Sequence, residues 1–215
     1  MKKHFSLIVC LSLVLSTIQF CQAQTAAKRL KSYLDIMDTA KTEQTWRTLS
    51  YGFEKIAVKD SGNWLANYYT AYAYSIYGIR VADNNSKGPL LERALNYINK
   101  ADVLKPNESE VYVLKGAIMG MQISVDPMLG ESIGPESIEL TKKGRDLNPE
   151  NPRAWLELGQ MAMYTPEQFG GSKKTAEKEL KTAEEKFKTF KNADPLWPHW
   201  GQDRLKAVLE EVKTK

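Results

Sequence analysis

Apolar residues recur at steps of three and four along most of the chain, which is the pattern of amphipathic helices. Ala176, Leu180, Ala183 and Phe187 follow this spacing. The same spacing recurs in three further segments, Leu30–Met37, Trp46–Ala57 and Leu205–Val212. We find no convincing two-residue alternation, so the pattern predicts an all-α protein without a sheet.

The helical pattern is repeated. A shift of about 43 residues places Pro106 on Pro149 and Tyr112 on Trp155, and Tyr69 occupies the corresponding position one unit earlier. Each proline ends one helix and opens the turn to the next, because proline is not tolerated in a helix interior. A helix pair per unit, repeated, predicts an α-solenoid in which stacked neighbours bury the apolar faces. Small residues at matching positions should let the two helices of a unit approach closely, namely Ala94, Ser137 and Ala176, and Ala101, Gly144 and Ala183.

These motifs resemble the tetratricopeptide repeat. Trp155, Leu158 and Gly159 match the first helix of that repeat, and Ala176 with Ala183 match the second. The middle copy departs from the pattern at Ser137 and Gly144. The usual unit has about 34 residues, so the longer period implies extra residues between the two helices of a unit. The whole chain is also similar to secreted or periplasmic repeat proteins of the Bacteroidetes type, and the resemblance implies a protein that holds other proteins or peptides.

Four regions follow from these patterns. Residues 1–23 have a basic start, a short apolar run and a small-residue end, which predicts a secretory signal peptide and an exported, periplasmic or secreted protein. Residues 24–62 form a degenerate helix pair, 63–191 the repeat array, and 192–215 a C-terminal capping helix. A lipid anchor at Cys21 is the alternative to cleavage, although Phe20 fits such a site poorly. We expect no membrane-spanning helix in the mature chain.

Composition narrows the chemistry. Both cysteines precede residue 24, so cleavage leaves no thiol, and His199 is then the only histidine. We therefore predict no catalytic residues, no metal site and no cofactor. Removal of the leader lowers the formal net charge of +4 by two. Such a mixed surface does not indicate nucleic-acid binding, which would show a clustered basic excess.

Three insertions, near residues 78–89, 123–135 and 164–171, should gather at one edge of the array, here called the insertion edge. The candidates at this edge are Asp126, Phe169 and Lys173. Pro135 is expected to start the helix that follows the second insertion. The insertions either form a binding edge or fold back over the groove between helices.

Two glycines in the third insertion raise the question of a phosphate site. Gly170 and Gly171 precede Lys173, but their spacing does not match a phosphate-binding loop. A turn followed by a Ser172 cap explains them, and an anion site at the helix start is the alternative.

The resemblance to the tetratricopeptide repeat implies a concave face lined by the first helix of each unit, and this face is the predicted binding surface. Its candidate residues are Thr70, Tyr74, Tyr77, Val113, Ala117, Arg153, Leu156, Gln160 and Met163. Aromatic side chains, methionine and arginine suit protein or peptide recognition. We predict a non-catalytic scaffold or adaptor of the cell envelope with a protein or peptide partner. The alternatives are an envelope enzyme or small-ligand carrier with its site in the insertions, and a lipid-anchored component of an outer-membrane complex.

Overall fold

The structure is a computed structural model that describes residues 25–214. The predicted signal peptide and Cys21 lie outside the described residues. Nine helices follow one another in the described part, and no strand occurs there. They are α1 (25–37), α2 (Glu43–Lys59), α3 (Trp64–Arg80), α4 (Asn84–Leu104), α5 (Ser109–Val125), α6 (Gly130–Leu147), α7 (Pro152–Tyr164), α8 (Lys173–Thr189) and α9 (Gln202–Thr214).

The helices pack as consecutive antiparallel pairs, α3 with α4, α5 with α6 and α7 with α8. Each first helix also packs on the first helix of the next unit, since α3 contacts α5 and α5 contacts α7. The all-α, tetratricopeptide-like solenoid that the sequence predicted is therefore confirmed. No helix within residues 25–214 is both long and apolar enough to cross a membrane.

Small residues set the close approach within each pair. A Cβ added at Gly116 of α5 would lie 2.2 Å from the Thr141 hydroxyl and 2.7 Å from the Ser137 carbonyl oxygen. A Cβ at Gly144 would lie 2.6 Å from a methyl group of Val113. The helices approach so closely only because these positions carry no side chain. The other small positions named above are also buried, namely Ala94, Ser137 and Ala176, and Ala101 and Ala183.

The first two insertions are mostly helical. Their residues lengthen α4 and α6 at the N-terminal ends, so Pro89 and Pro135 lie inside these helices. The expectation that Pro135 starts a helix is wrong, because α6 begins five positions earlier at Gly130. Each proline is the sixth residue of its helix, so it removes one backbone hydrogen bond to the preceding turn.

The third insertion is a tight turn built by two glycines. Gly170 adopts a left-handed φ of 94°, which favours glycine. A Cβ at Gly171 would lie 1.7 Å from the Thr165 carbonyl oxygen, so the chain passes too close for any other residue. The Ser172 hydroxyl accepts a hydrogen bond from the Thr175 N–H at 3.2 Å. The predicted Ser172 cap of α8 is confirmed.

Replacing Gly116 by alanine tests the close packing. Gly116→Ala places a methyl group against Thr141 and the α6 backbone, and we expect it to lower the free energy of unfolding by about 2 kcal/mol, the usual size of overpacking. Gly88→Ala is the matched control, because its Cβ would meet nothing within 4 Å. Urea unfolding followed by circular dichroism measures both. Equal stability of the two variants would contradict the packing argument.

Candidate functional site

An irregular segment with a turn at Asp194–Trp197 lies against the inner surface of the array. This crossing segment, residues 190–201, links α8 to α9 and lies across the first helices of the units. The Tyr69 hydroxyl donates a hydrogen bond to the Leu196 carbonyl oxygen at 2.9 Å, and the Trp200 Nε1 donates to the Tyr68 hydroxyl at 2.9 Å. The inner surface that the sequence predicted as open for a partner is thus partly filled by the chain itself.

A buried ion pair lies under the crossing segment. The Arg153 guanidinium of α7 donates to both carboxylate oxygens of Glu110 on α5, with Nε at 2.8 Å from Oε2. Their side chains are only 1% and 2% exposed. Burial by itself would lower the pKa of Arg153, but the Glu110 carboxylate outweighs it and raises that pKa above its ordinary value. Arg153 therefore stays charged, and its Nη1 reaches the Trp200 carbonyl oxygen at 3.4 Å.

Aromatic rings fix the crossing segment from the other side. The Trp200 ring stacks on Tyr72, with centroids 4.9 Å apart, and Trp197 meets Trp64 edge-on at 5.3 Å. Tyr68 is fully buried, and burial raises its pKa well above the ordinary value, so its hydroxyl stays protonated. Tyr68 thus accepts from Trp200 and donates to Glu110 at 3.5 Å, which links α3, α5 and the crossing segment.

A cleft opens between α1 and the crossing segment. It has a volume of about 530 Å³, within the roughly 300–1,000 Å³ that small-molecule sites occupy. Phe187, Phe190 and Trp197 supply its aromatic surface. Its remaining lining residues are Lys31, Leu34, Asp35, Asp38, Arg153, Asn192, Asp194, Pro195, Pro198, His199 and Gln202. We refer to it below as the aromatic cleft.

The charged residues of the aromatic cleft are already engaged with one another or with the backbone. Lys31 pairs with Asp35 one turn along α1. The His199 Nε2 lies 2.7 Å from an Asp38 oxygen, and its Nδ1 lies 3.2 Å from the Trp197 carbonyl oxygen. These pairs leave the cleft with mixed charge around an aromatic centre.

A second buried acid, Glu157 of α7, faces the same inner surface. Burial raises its pKa to about 7, against the opposing influence of Arg204 and of a hydrogen bond with Gln160. Its charge in turn contributes, after burial, to the raised pKa of Tyr72 on α3. Arg204 of α9 donates from Nε to the Gln160 side-chain oxygen at 2.6 Å. Glu157 is therefore partly protonated near neutral pH at the contact between α7 and α9.

The structure places the candidate concave-face residues mainly in the interior. Gln160 and Met163 are partly exposed. Tyr74 turns away from the inner surface and donates to Glu54 of α2 at 2.8 Å, while its ring stacks on Tyr97 of α4. The other candidates are buried, namely Thr70, Tyr77, Val113, Ala117, Arg153 and Leu156. Arg153 is the one candidate that also lines the aromatic cleft.

The candidates at the insertion edge are further from the aromatic cleft. Asp126 uses its side chain to accept from the Met128 N–H at 3.1 Å, so it caps a short 3₁₀ turn, Pro127–Leu129. Phe169 ends a second 3₁₀ turn, Glu167–Phe169, and is largely exposed. Lys173 is the exposed first residue of α8. None of the three lines the aromatic cleft.

Sequence reasoning missed Glu110 and most of the aromatic cleft. One signal for Glu110 was present, because Glu110 and Arg153 are separated by 43 residues, which is the repeat period. Residues at the same position of consecutive first helices lie side by side, so opposite charges there predict an ion pair. No comparable signal existed for Lys31, Phe190 or Trp197, which meet only because the crossing segment turns back toward α1.

The described chain belongs by its geometry to the class of tetratricopeptide-like helical repeat proteins, and its inner surface is partly filled by its own crossing segment. Among solved structures, it is similar to the HusA haemophore from Porphyromonas gingivalis. The TM-score is 0.75 and the identity 26%, over 89% of this chain and 92% of that chain. The similarities and the fold are compatible with a non-catalytic binding protein.

Two further structures are more distant. The tetratricopeptide-repeat protein TTC0263 of Thermus thermophilus gives a TM-score of 0.48 at 12% identity, over 88% of this chain and 100% of that chain. MamA of Desulfovibrio magneticus gives 0.33 at 17% identity, over 76% and 98%. No protein-family model matches the chain, and no curated protein sequence matches it.

A double-mutant cycle tests the buried ion pair. Glu110→Gln leaves the Arg153 charge buried without a counter-charge, and we expect a loss of about 3 kcal/mol or more in the free energy of unfolding. Glu110→Gln with Arg153→Met should lose clearly less than the sum of the two single variants. Glu139→Gln removes an exposed pair with Lys142 and should change stability by less than about 1 kcal/mol. Additive losses in the cycle would contradict direct coupling.

The raised pKa of Glu157 predicts a pH dependence of stability. The fold favours the protonated acid, so this residue lowers stability as pH rises from its ordinary pKa of 4.5 through about 7. Glu157→Gln should therefore gain stability over the natural chain as pH rises, reaching on the order of 3 kcal/mol by about pH 8, since one pKa unit is worth about 1.4 kcal/mol. Urea unfolding across this range measures the difference. A difference that is constant with pH would refute the assignment.

Proposed function

We propose that this protein is an exported, non-catalytic binding protein that holds haem in the aromatic cleft. The observation that carries this proposal is the cleft itself, in which three aromatic side chains meet at a pocket of small-molecule size. The similarity to a haemophore over most of both chains supports the choice of ligand. The leader-like residues 1–23 support export.

The lining of the cleft fits the chemistry of haem. The porphyrin ring is flat and apolar, and Phe187, Phe190 and Trp197 offer surfaces on which it can stack. Its carboxylate groups need a cation, and Lys31 at the rim, about half exposed, can supply one by exchanging its partner Asp35 for the ligand. His199 supplies the one imidazole of the described residues, with Nε2 hydrogen-bonded to Asp38.

The charged side chains at the inner surface suit a non-catalytic role, because each is engaged in contacts within the protein. Arg153 and Glu110 neutralise each other under the crossing segment, and their side chains are only 1% and 2% exposed. Glu157 is buried at a helix contact and does not line the cleft. Asp194 accepts from the Leu196 N–H at 2.8 Å, so this acid is engaged with the crossing segment. The charged groups of the inner surface thus hold the chain together, and the binding chemistry comes from aromatic surfaces and the rim.

Titration with haemin tests the proposal. Binding should quench tryptophan fluorescence, because Trp197 lines the cleft, and should shift the haemin absorbance. Phe190→Ser removes an apolar wall, and Lys31→Glu reverses the rim charge. We expect each to weaken binding about tenfold, which corresponds to about 1.4 kcal/mol.

Lys206→Glu provides the matched control, because it reverses an exposed lysine on α9 that does not line the cleft. It should bind haemin like the natural chain. Circular dichroism must show that each variant retains its helices. If the natural chain fails to bind haemin, or if Lys31→Glu and Phe190→Ser bind as tightly as Lys206→Glu, the haem proposal is wrong.

Protein or peptide binding at the inner surface is the second candidate function. The crossing segment supports it, since this surface already holds a stretch of chain through hydrogen bonds from Tyr69 and to Tyr68. Gln160 and Met163 are the partly exposed members of the predicted concave-face set and are our proposed contact residues. Met163→Gln separates the two functions, because neither residue lines the aromatic cleft and this variant should bind haemin like the natural chain.

A further inference from the structure

His199 brings a metal-binding side chain to the aromatic cleft. It lies in the crossing segment and lines the cleft, with 43% of its side chain exposed. Histidine, cysteine, methionine and tyrosine supply the axial ligands of haem iron in proteins. His199 is the only residue of these four types among the described residues that line the cleft. The cleft therefore places one candidate iron ligand beside the aromatic surfaces on which a porphyrin can stack.

The two ring nitrogens of His199 meet different kinds of partner. Nδ1 lies 3.2 Å from the Trp197 carbonyl oxygen, and Nε2 lies 2.7 Å from a carboxylate oxygen of Asp38. A metal-binding histidine usually has one ring nitrogen against a backbone carbonyl or a carboxylate, which sets the orientation of the ring and leaves the other nitrogen to the metal. The imidazole of His199 is oriented in this manner.

The Trp197 carbonyl is the more firmly placed of the two partners. The Trp197 N–H donates to the Asp194 carbonyl oxygen at 3.0 Å, and its ring packs edge-on against Trp64 with centroids 5.3 Å apart. Asp38 follows the end of α1 directly, and its side chain is 51% exposed, so its carboxylate can turn into water. Nε2 is therefore the nitrogen of His199 that can exchange its partner for a ligand.

We propose that His199 binds the iron of haem through Nε2, and that Asp38 gives up this nitrogen when haem enters the aromatic cleft. The Trp197 carbonyl continues to orient the ring at Nδ1. This inference rests on the proposed haem function and adds the residue that distinguishes a porphyrin with iron from one without. Aromatic stacking does not depend on the iron, so the preference for the iron porphyrin comes from His199.

Isotope labelling of one side chain tests the iron contact. The protein without residues 1–23 contains a single histidine, so a sample without added purification histidines and grown with ¹⁵N-histidine is labelled in its imidazole at His199 alone. This sample is loaded with ferric haemin. Pulsed electron paramagnetic resonance should then detect hyperfine coupling between the iron and ¹⁵N, because the nitrogen is bonded directly to the paramagnetic centre.

Iron-free protoporphyrin IX is the matched control for haemin. His199→Ala should weaken haemin binding about tenfold and change protoporphyrin binding by less than about twofold, because only the iron loses a ligand. Loss of the contact with Asp38 also removes a tether of the crossing segment, and such a structural effect would weaken the binding of both porphyrins alike. Titrations followed by tryptophan fluorescence measure the two affinities, and circular dichroism checks that the variant is folded.

The inference and the haem function fail in different ways. If the natural chain binds neither porphyrin, the haem function is wrong and the inference about His199 falls with it. If the natural chain binds haemin without coupling to ¹⁵N, or if His199→Ala weakens haemin binding no more than protoporphyrin binding, then His199 is not the iron ligand. In that second case the binding of haemin itself still supports the haem function.

Discussion

The ion pair between Glu110 and Arg153 is the contact on which the arrangement of the inner surface depends. Two opposite charges from consecutive repeat units meet where almost no water reaches them. In such surroundings each charge is tolerable only beside the other. Arg153 donates a hydrogen bond to the Trp200 carbonyl oxygen. Glu110 accepts one from the Tyr68 hydroxyl, which in turn accepts one from the Trp200 indole. One pair thus locates the segment that forms a wall of the aromatic cleft.

The crossing segment changes what the solenoid can offer to a ligand. In an open array the first helices form a continuous groove, but here Tyr69 and Tyr72 are used to hold Leu196 and Trp200. The surfaces that remain open to a ligand lie in two other places, the aromatic cleft beside α1 and the insertion edge. These two surfaces differ in chemistry, since one is an aromatic recess and the other carries separate exposed apolar side chains among charges of both signs.

Much of the fold was readable from the sequence because it follows from local rules. The spacing of Ala176, Leu180 and Ala183 defines a helix face, and the period defines which helices pair. The Ser172 cap was predictable because a serine after two glycines has few other roles. Helix limits were less predictable, as Pro135 shows, because α6 begins five residues before this proline although the proline removes one backbone hydrogen bond.

The candidate site was less predictable because it is made by contacts between distant parts of the chain. Periodicity cannot show that residues 190–201 turn back over the inner surface, so Tyr74 and the buried concave candidates were assigned to a groove. The orientation of α3 also differs from the assumed one, since Tyr74 bonds to Glu54 of α2. Arg153 was identified by its position in the first helix of its unit. Its partner Glu110 could have been found only by applying the repeat period to charged residues as well.

The crossing segment has one more consequence, for cooperativity. In most solenoids each repeat contacts only its neighbours, so the ends can fray while the middle stays folded. Here His199 reaches Asp38 at the end of α1, and Trp197 packs on Trp64 at the start of α3. The last part of the chain is thereby joined to the first. Loss of either terminal helix would remove support from the other, so the array should unfold as one unit and not by stepwise peeling.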